Sequence, residues 1–135
     1  MIPYIEKLKS QGLKFTPRRR EMLNYFIKEG RCLTPEDVWN QLKKHFKRIG
    51  FPSVYRNLES FEDCGILVKI QREERRLYYA LCHSHSNDHH HHIVCVKCGK
   101  VEDVDGCALA SMARASGFKV LKHFVQLEGL CPKCA

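Results

Sequence analysis

The first half of the chain sets short apolar stripes at helical spacing between Thr-Pro and Gly punctuation. Ile5 and Leu8 share one face of a helix predicted over 2–11, which Gly12 ends. Thr16-Pro17, a capping residue followed by proline at the first helical position, opens a second helix. Met22, Leu23, Phe26 and Ile27 are its apolar side. Thr34-Pro35 repeats the signal, with Glu36 and Asp37 favouring the positive end of the helix dipole and Val38, Leu42 and Phe46 recurring behind it. A fourth helix begins around Gly50–Pro52, carries Val54, Leu58 and Phe61 as its buried stripe, and meets its cap at Gly65. Ile66–Ile70 and Leu77–Leu81 then read as two strands around a charged turn.

Four helices and a hairpin predict a winged helix-turn-helix over 1–82. A polar stretch, 83–88, has the composition of a hinge. From 89 to 135 the pattern predicts strands near 90–96 and 100–104, a helix near 107–116 and a strand near 119–128. The fold class expected is α+β, and the tail is too small to bury much core alone, so it is expected to dimerise.

Charge sharpens that division. Residues 1–82 carry 17 Lys/Arg against 10 Asp/Glu, whereas 83–135 carry 6 against 5. A basic half joined to a nearly neutral one fits a part that touches a polyanion and a part that does something else. The other reading is a merely soluble basic surface. No apolar run approaches the ~20 residues of a membrane span, and the first residues lack the layout of a secretory signal. A cytoplasmic protein without a membrane partner is expected.

Eight cysteines in such a chain are not expected to pair as disulfides. Cys95-x-x-Cys98 and Cys131-x-x-Cys134 have the spacing of a tetrahedral zinc site, with bonds of about 2.3 Å. With four protein ligands that Zn²⁺ would be structural and catalytically idle. The run His89-His90-His91-His92 leads into the strand Ile93-Val94-Cys95. Alternation along a strand puts His90 and His92 on one face and His89 and His91 on the other, so the run can serve two different metal sites. A solvated polar strand end is the bland alternative. Within the winged helix, Tyr55 and Arg56 lie early in the recognition helix, where residues reach bases and phosphates. Lys14, Arg18 and Arg19 would add backbone or minor-groove contacts; Tyr55 can also be read as a core residue.

The segments Leu13–Arg19, Leu33–Val38, Ser53–Leu58, His89–Asp103, Gly117–Val120 with His123, and Gly129–Cys134 together resemble the ferric uptake regulator family, in family order and across nearly the whole chain. The resemblance implies a homodimer that binds a palindromic DNA operator once a regulatory divalent ion joins the structural zinc. It assigns His90, His92 and Asp103 to the regulatory ion, His89, His91 and His123 to a further site near the dimerisation region, and Ser53, Tyr55 and Arg56 to DNA. Two departures bear on the metal. Cys32 stands where the family usually has a histidine, and Ala80 where a carboxylate usually ends the second wing strand. Cys82, two residues on, falls where zinc-sensing relatives place a cysteine ligand. The segment after Asp105 is about one helical turn shorter than usual, so Asp105 is the nearest candidate for an acidic ligand there.

Thiolates soften the site and favour Zn²⁺ over Fe²⁺. The expected function is therefore a metal-responsive repressor of metal-homeostasis genes, with zinc favoured over iron as the sensed metal. An iron- or peroxide-type regulator and a constitutive zinc-ribbon DNA-binding module are the alternatives. A zinc hydrolase would need an open metal position and a general base, as in His-Glu-x-x-His, and the chain has no such spacing. No enzyme activity and no small organic substrate are expected.

Overall fold

The computed structural model describes residues 1–72, 75–82, 90–105, 115–121 and 125–135. Helix α1 spans Ile2–Ser10, α2 Pro17–Glu29, α3 Pro35–Leu42 and α4 Phe51–Asp63. Each of the middle two is started by a threonine. The Thr16 hydroxyl accepts from the Arg19 N–H at 3.3 Å, and Gly30 closes α2 in the left-handed conformation, φ 62°. Thr34 and Asp37 form a reciprocal capping box, each side chain accepting the other's backbone N–H at 3.1 Å. Helix α4 buries the predicted stripe completely: Val54, Leu58 and Phe61 are all 0% exposed.

Strands β1 (Leu67–Gln71) and β2 (Leu77–Leu81) pair antiparallel, with Leu67 opposite Leu81, and a single bridge joins Leu33 to Tyr79. This hairpin is the wing behind the helix-turn-helix. A second sheet has the order β4-β3-β5, built from β3 (His90–Cys95), β4 (Val101–Asp105) and β5 (Gln126–Gly129). Strand β3 runs antiparallel to β4 and parallel to β5, with His92 opposite both Asp103 and Gln126. The architecture is α+β, a winged helix-turn-helix followed by a small mixed sheet. Among the described residues no helix is long and apolar enough to cross a membrane.

Two buried clusters organise the molecule. The larger gathers the helix stripes, from Leu8 and Phe26 to Phe61, against Leu67, Tyr79 and Leu81 of the wing. The smaller is made of Cys32, Ile70, Ala80, Val94 and Val101, and so belongs to the wing and the second sheet together. Hydrogen bonds stitch the same seam. The Cys32 N–H donates to Gly99 O at 2.9 Å, Arg72 Nη2 to Val96 O at 2.7 Å, and the Gln126 amide both accepts from and donates to the Gln71 backbone.

The structure departs from the pattern in three places. Helix α1 buries Tyr4 with Leu8, an i,i+4 pair, and turns Ile5 partly outward. Ile27, a step of 100° around α2 from the fully buried side of the helix, is 44% exposed. It lines a cleft of about 280 Å³ with Met1, Tyr4, Ala80 and Val101. The last strand is short: residues 119–121 are not in a strand, and Phe118 and Leu121 are 79% and 87% exposed. The predicted hinge over 83–88 lies outside the described residues, as does nearly all of the predicted helix over 107–116.

Two substitutions test this packing. Leu58→Ala, which empties space at the centre of the larger cluster, is expected to cost about 2–5 kcal/mol, measured by denaturant unfolding. Gly99→Ala is expected to cost about 1–2 kcal/mol in the same assay. Gly99 is left-handed, φ 80°, and a Cβ there would sit 3.3 Å from Cys32 Sγ, so the seam as well as the turn resists it.

Candidate metal centres and nucleic-acid interface

Strand β3 ends at Cys95 and β5 is followed two residues later by Cys131, so the parallel pairing of these strands brings the two Cys-x-x-Cys turns together. The sulfurs of Cys95, Cys98, Cys131 and Cys134 all lie within 4.8 Å of one another. Cys98 Sγ and Cys131 Sγ are 3.8 Å apart. That is far too long for a disulfide, and it matches the ~3.8 Å edge of a sulfur tetrahedron around zinc with bonds near 2.3 Å. Backbone N–H groups of Cys98 and Cys131 point at Cys95 Sγ, at 3.5 and 3.4 Å. These donors hold the Cys95 thiol down to about 5, favouring the thiolate that a metal needs. In donor type and spacing, the four residues fit Zn²⁺.

A second group lies around the middle of β3. Cys82 directly follows β2, His92 is on β3, and Asp103 is its register partner on β4. Their ligand atoms also lie within 4.8 Å of one another. His92 Nε2 and Asp103 Oδ1 are 3.2 Å apart. Two donors about 2.0–2.1 Å from one tetrahedral zinc would stand ~3.3 Å apart. Asp103 Oδ1 is buried and has no aligned hydrogen-bond donor among the described residues. A buried carboxylate oxygen in that position fits a cation. Thiolate, imidazole and carboxylate together are a donor set for a divalent transition metal. Cys82 comes from the winged-helix side and the other two from the second sheet, so a shared ion would bridge them.

The remaining predicted ligands are distributed differently. Cys32 is 1% exposed and packs at the seam, with its thiol 4.0 Å from Arg72 Nη1; it is not one of the residues gathered around His92. Its burial pushes the thiol pKa up, and Arg72 only partly offsets this. His91 is buried on the face of β3 opposite His92, at 8% exposure. His90 pairs with Asp105 at the start of β3, two residues from His92. His89 and His123 lie outside the described residues. One neighbour of the mixed-donor group carried no signal in the sequence. Tyr4 of α1 is buried, and its phenol pKa is raised by that burial and by the nearby Cys82 and Asp103 charges. Nothing in a helix so far upstream announces that proximity.

On the helix-turn-helix, the predicted DNA residues fall into two kinds. Lys14 and Arg56 are exposed. Arg19 is engaged in positioning: its Nε donates to Asn57 Oδ1 of α4 at 3.1 Å and its Nη1 to Lys14 O at 2.6 Å, tying the start of α2 to α4. Arg18 sits over the Phe46 ring at 5.8 Å. Ser53 is half-buried, and so is Tyr55, which leans on Phe51 with ring centroids 6.4 Å apart.

The chain is similar to known proteins over nearly its whole length. The profile of the Ferric uptake regulator family matches residues 10–128. The ferric uptake regulation protein of Neisseria gonorrhoeae is 35% identical over 135 residues, covering 96% of this chain and 92% of the relative. That of Staphylococcus epidermidis is 32% identical over 131 residues, with the same coverage. Among solved structures, the Vibrio cholerae ferric uptake regulator superposes with a TM-score of 0.60 at 27% identity, covering 94% of this chain and 98% of that one. A zinc uptake regulator complexed with zinc and DNA shares the fold with a TM-score of 0.73 at 23% identity, covering 96% and 88%. The chain belongs to the ferric uptake regulator family of metal-responsive transcription regulators.

Proposed function

We propose that this regulator is a zinc-responsive repressor of metal-homeostasis genes, acting as a homodimer on an operator. The observation that carries the proposal is the meeting of Cys82, His92 and Asp103 within 4.8 Å. An iron-type site is built from imidazole and carboxylate alone, whereas a thiolate shifts preference toward zinc. The family resemblance offers His90 as the fourth donor. Cys95, Cys98, Cys131 and Cys134 would hold a separate structural zinc that supplies no chemistry beyond cross-linking. His89, His91 and His123 are proposed for a further ion, and Asp105 is kept as an acidic neighbour of His90. The exposed Phe118 and Leu121 are the kind of apolar surface that a second copy of the chain would cover.

The residues suggest how binding is switched. Cys82 ends the wing, while His92 and Asp103 sit on the second sheet, so closing the three around one cation fixes the wing against that sheet. The recognition residues Ser53, Tyr55 and Arg56, with Lys14 and Arg18, then keep one orientation relative to the partner's set. The cation shifts the population only by its differential affinity for that arrangement: a hundredfold gain in operator affinity needs about 2.7 kcal/mol. Arg19 acts through Asn57 as a positioning residue of α4. The iron reading is favoured by the names of the matched relatives, which are ferric uptake regulation proteins.

Titrating Zn²⁺ and anaerobic Fe²⁺ into the purified chain, with bound metal counted and DNA binding followed, separates the two. Zinc is expected to add a second ion per chain and switch binding on; a switch by Fe²⁺ instead would make Cys82 a spectator. Cys82→Ser should lower zinc-dependent DNA affinity by about tenfold to a hundredfold while leaving the first zinc in place. Prolonged chelation that strips the four-cysteine site should unfold the second sheet, seen as loss of amide hydrogen-exchange protection in β3 and β5, and abolish binding whatever metal is added back at the other site.

A further inference from the structure

The helix-turn-helix is electrically polarised along its length. From residue 38 to residue 58 the chain holds five Lys/Arg and no Asp/Glu. Four of the five, Lys43, Lys44, Lys47 and Arg48, fall in the turn joining α3 to α4. Lys43, Lys44, Lys47 and Arg48 are all exposed. The acids lie at the far ends of the same helices: Glu36 and Asp37 open α3, and Glu59, Glu62 and Asp63 close α4. Glu21 of α2 is met by His45 of the turn at 3.7 Å.

The turn is also held in shape. The Trp39 indole N–H donates to Ile49 O at 3.0 Å, spanning the turn, and the Lys43 ammonium sits 4.0 Å over the Trp39 ring. Phe46 packs back on the larger core and lines a cleft with Phe15, Thr16 and Pro17, where α2 begins. The basic turn and the basic start of α2 are therefore neighbouring parts of one surface. A charge run that only kept the protein soluble would need neither the aromatic brace nor the separation of sign. Residues just before a recognition helix stand at the rim of the groove that the helix enters, where the nearest polyanion is the phosphate backbone.

We propose that Lys43, Lys44, Lys47 and Arg48 form a phosphate-gripping rim for duplex DNA, contacting the backbone outside the bases that α4 reads. The proposal rests on the DNA-binding reading above and adds a sequence-independent share of affinity to it. Such contacts release counterions, so their signature is the salt dependence of binding, not the choice of sequence.

The test uses the full chain loaded with zinc and duplexes that it selects from a random-sequence library. Affinity for the best selected duplex is measured across salt concentrations for the wild type and for a variant carrying Lys43→Gln, Lys44→Gln, Lys47→Gln and Arg48→Gln. The variant is expected to select the same sequence, to bind about tenfold or more weakly, and to flatten the log–log salt slope by about 3–4 for each chain, hence about 7 for the homodimer, near 0.9 for each phosphate no longer neutralised. If the fourfold variant does not fold, Lys47→Gln with Arg48→Gln, which leaves the Lys43–Trp39 pair intact, should still flatten the slope by about 2 for each chain, hence about 4 for the homodimer. An unchanged slope and affinity in a folded variant overturn the rim while leaving DNA binding intact. Failure of the wild type to select any duplex overturns the DNA-binding reading, and the rim with it.

Discussion

One strand carries the whole metal-binding half. Strand β3 has Cys95 at its end and His92 in its middle, pairs with β4 on one side and β5 on the other, and buries Val94 against the wing. Its parallel partner β5 contributes only four register pairs. Two such short strands, distant in sequence, have little backbone pairing to hold them. A metal held by the four sulfurs at their ends would supply what the ladder lacks, because such a cross-link would close a loop from Cys95 to Cys134 that the unfolded chain leaves open. The second sheet would then depend on the four-cysteine site, and the mixed-donor group on the second sheet.

The seam explains how a change at that group can reach the DNA-binding elements. Cys32, Ile70 and Ala80 pack directly on Val94 and Val101. Arg72 donates from the base of the wing turn to Val96 beside the first zinc knuckle, and lies over Tyr78 of β2. The interface is small and partly polar, so it resembles one that can be remade more than a continuous core. A cation shared by Cys82, His92 and Asp103, as proposed above, would add a strong, directional link next to weak, adjustable ones. Where the two halves meet, the replacement of a hydrophilic ligand by Cys32 has a structural meaning. A buried thiol under Gly99 packs the seam, as free cysteine commonly does.

Much of this molecule is legible in the residues alone, wherever the information is local. The Thr-Pro starts of α2 and α3, the buried stripe of α4 and the wing strand Leu77–Leu81 follow from capping chemistry and periodicity, which need only a few neighbouring residues. The Cys-x-x-Cys pairs announced a tetrahedral site because each half is a single turn. Local reasoning placed Ile5 and Ile27 inside and the last strand over 119–128. Which of two adjacent apolar residues is covered, and where a strand finds a partner, depend on elements far away in the chain.

The sequence by itself therefore determined the order of elements, the separation of a basic half from a nearly neutral one, and the inventory of soft and hard metal donors. The tertiary structure decided which donors share a site. Cys32, between α2 and α3, and Cys82, directly after β2, are both buried thiols that the sequence offers as candidate ligands. Only the docking of the wing on β3 and β4 turns Cys82 toward His92 and Asp103 and leaves Cys32 packed beneath Gly99. The reason is physical: a coordination shell a few ångströms across is set by long-range packing, which no window of sequence contains.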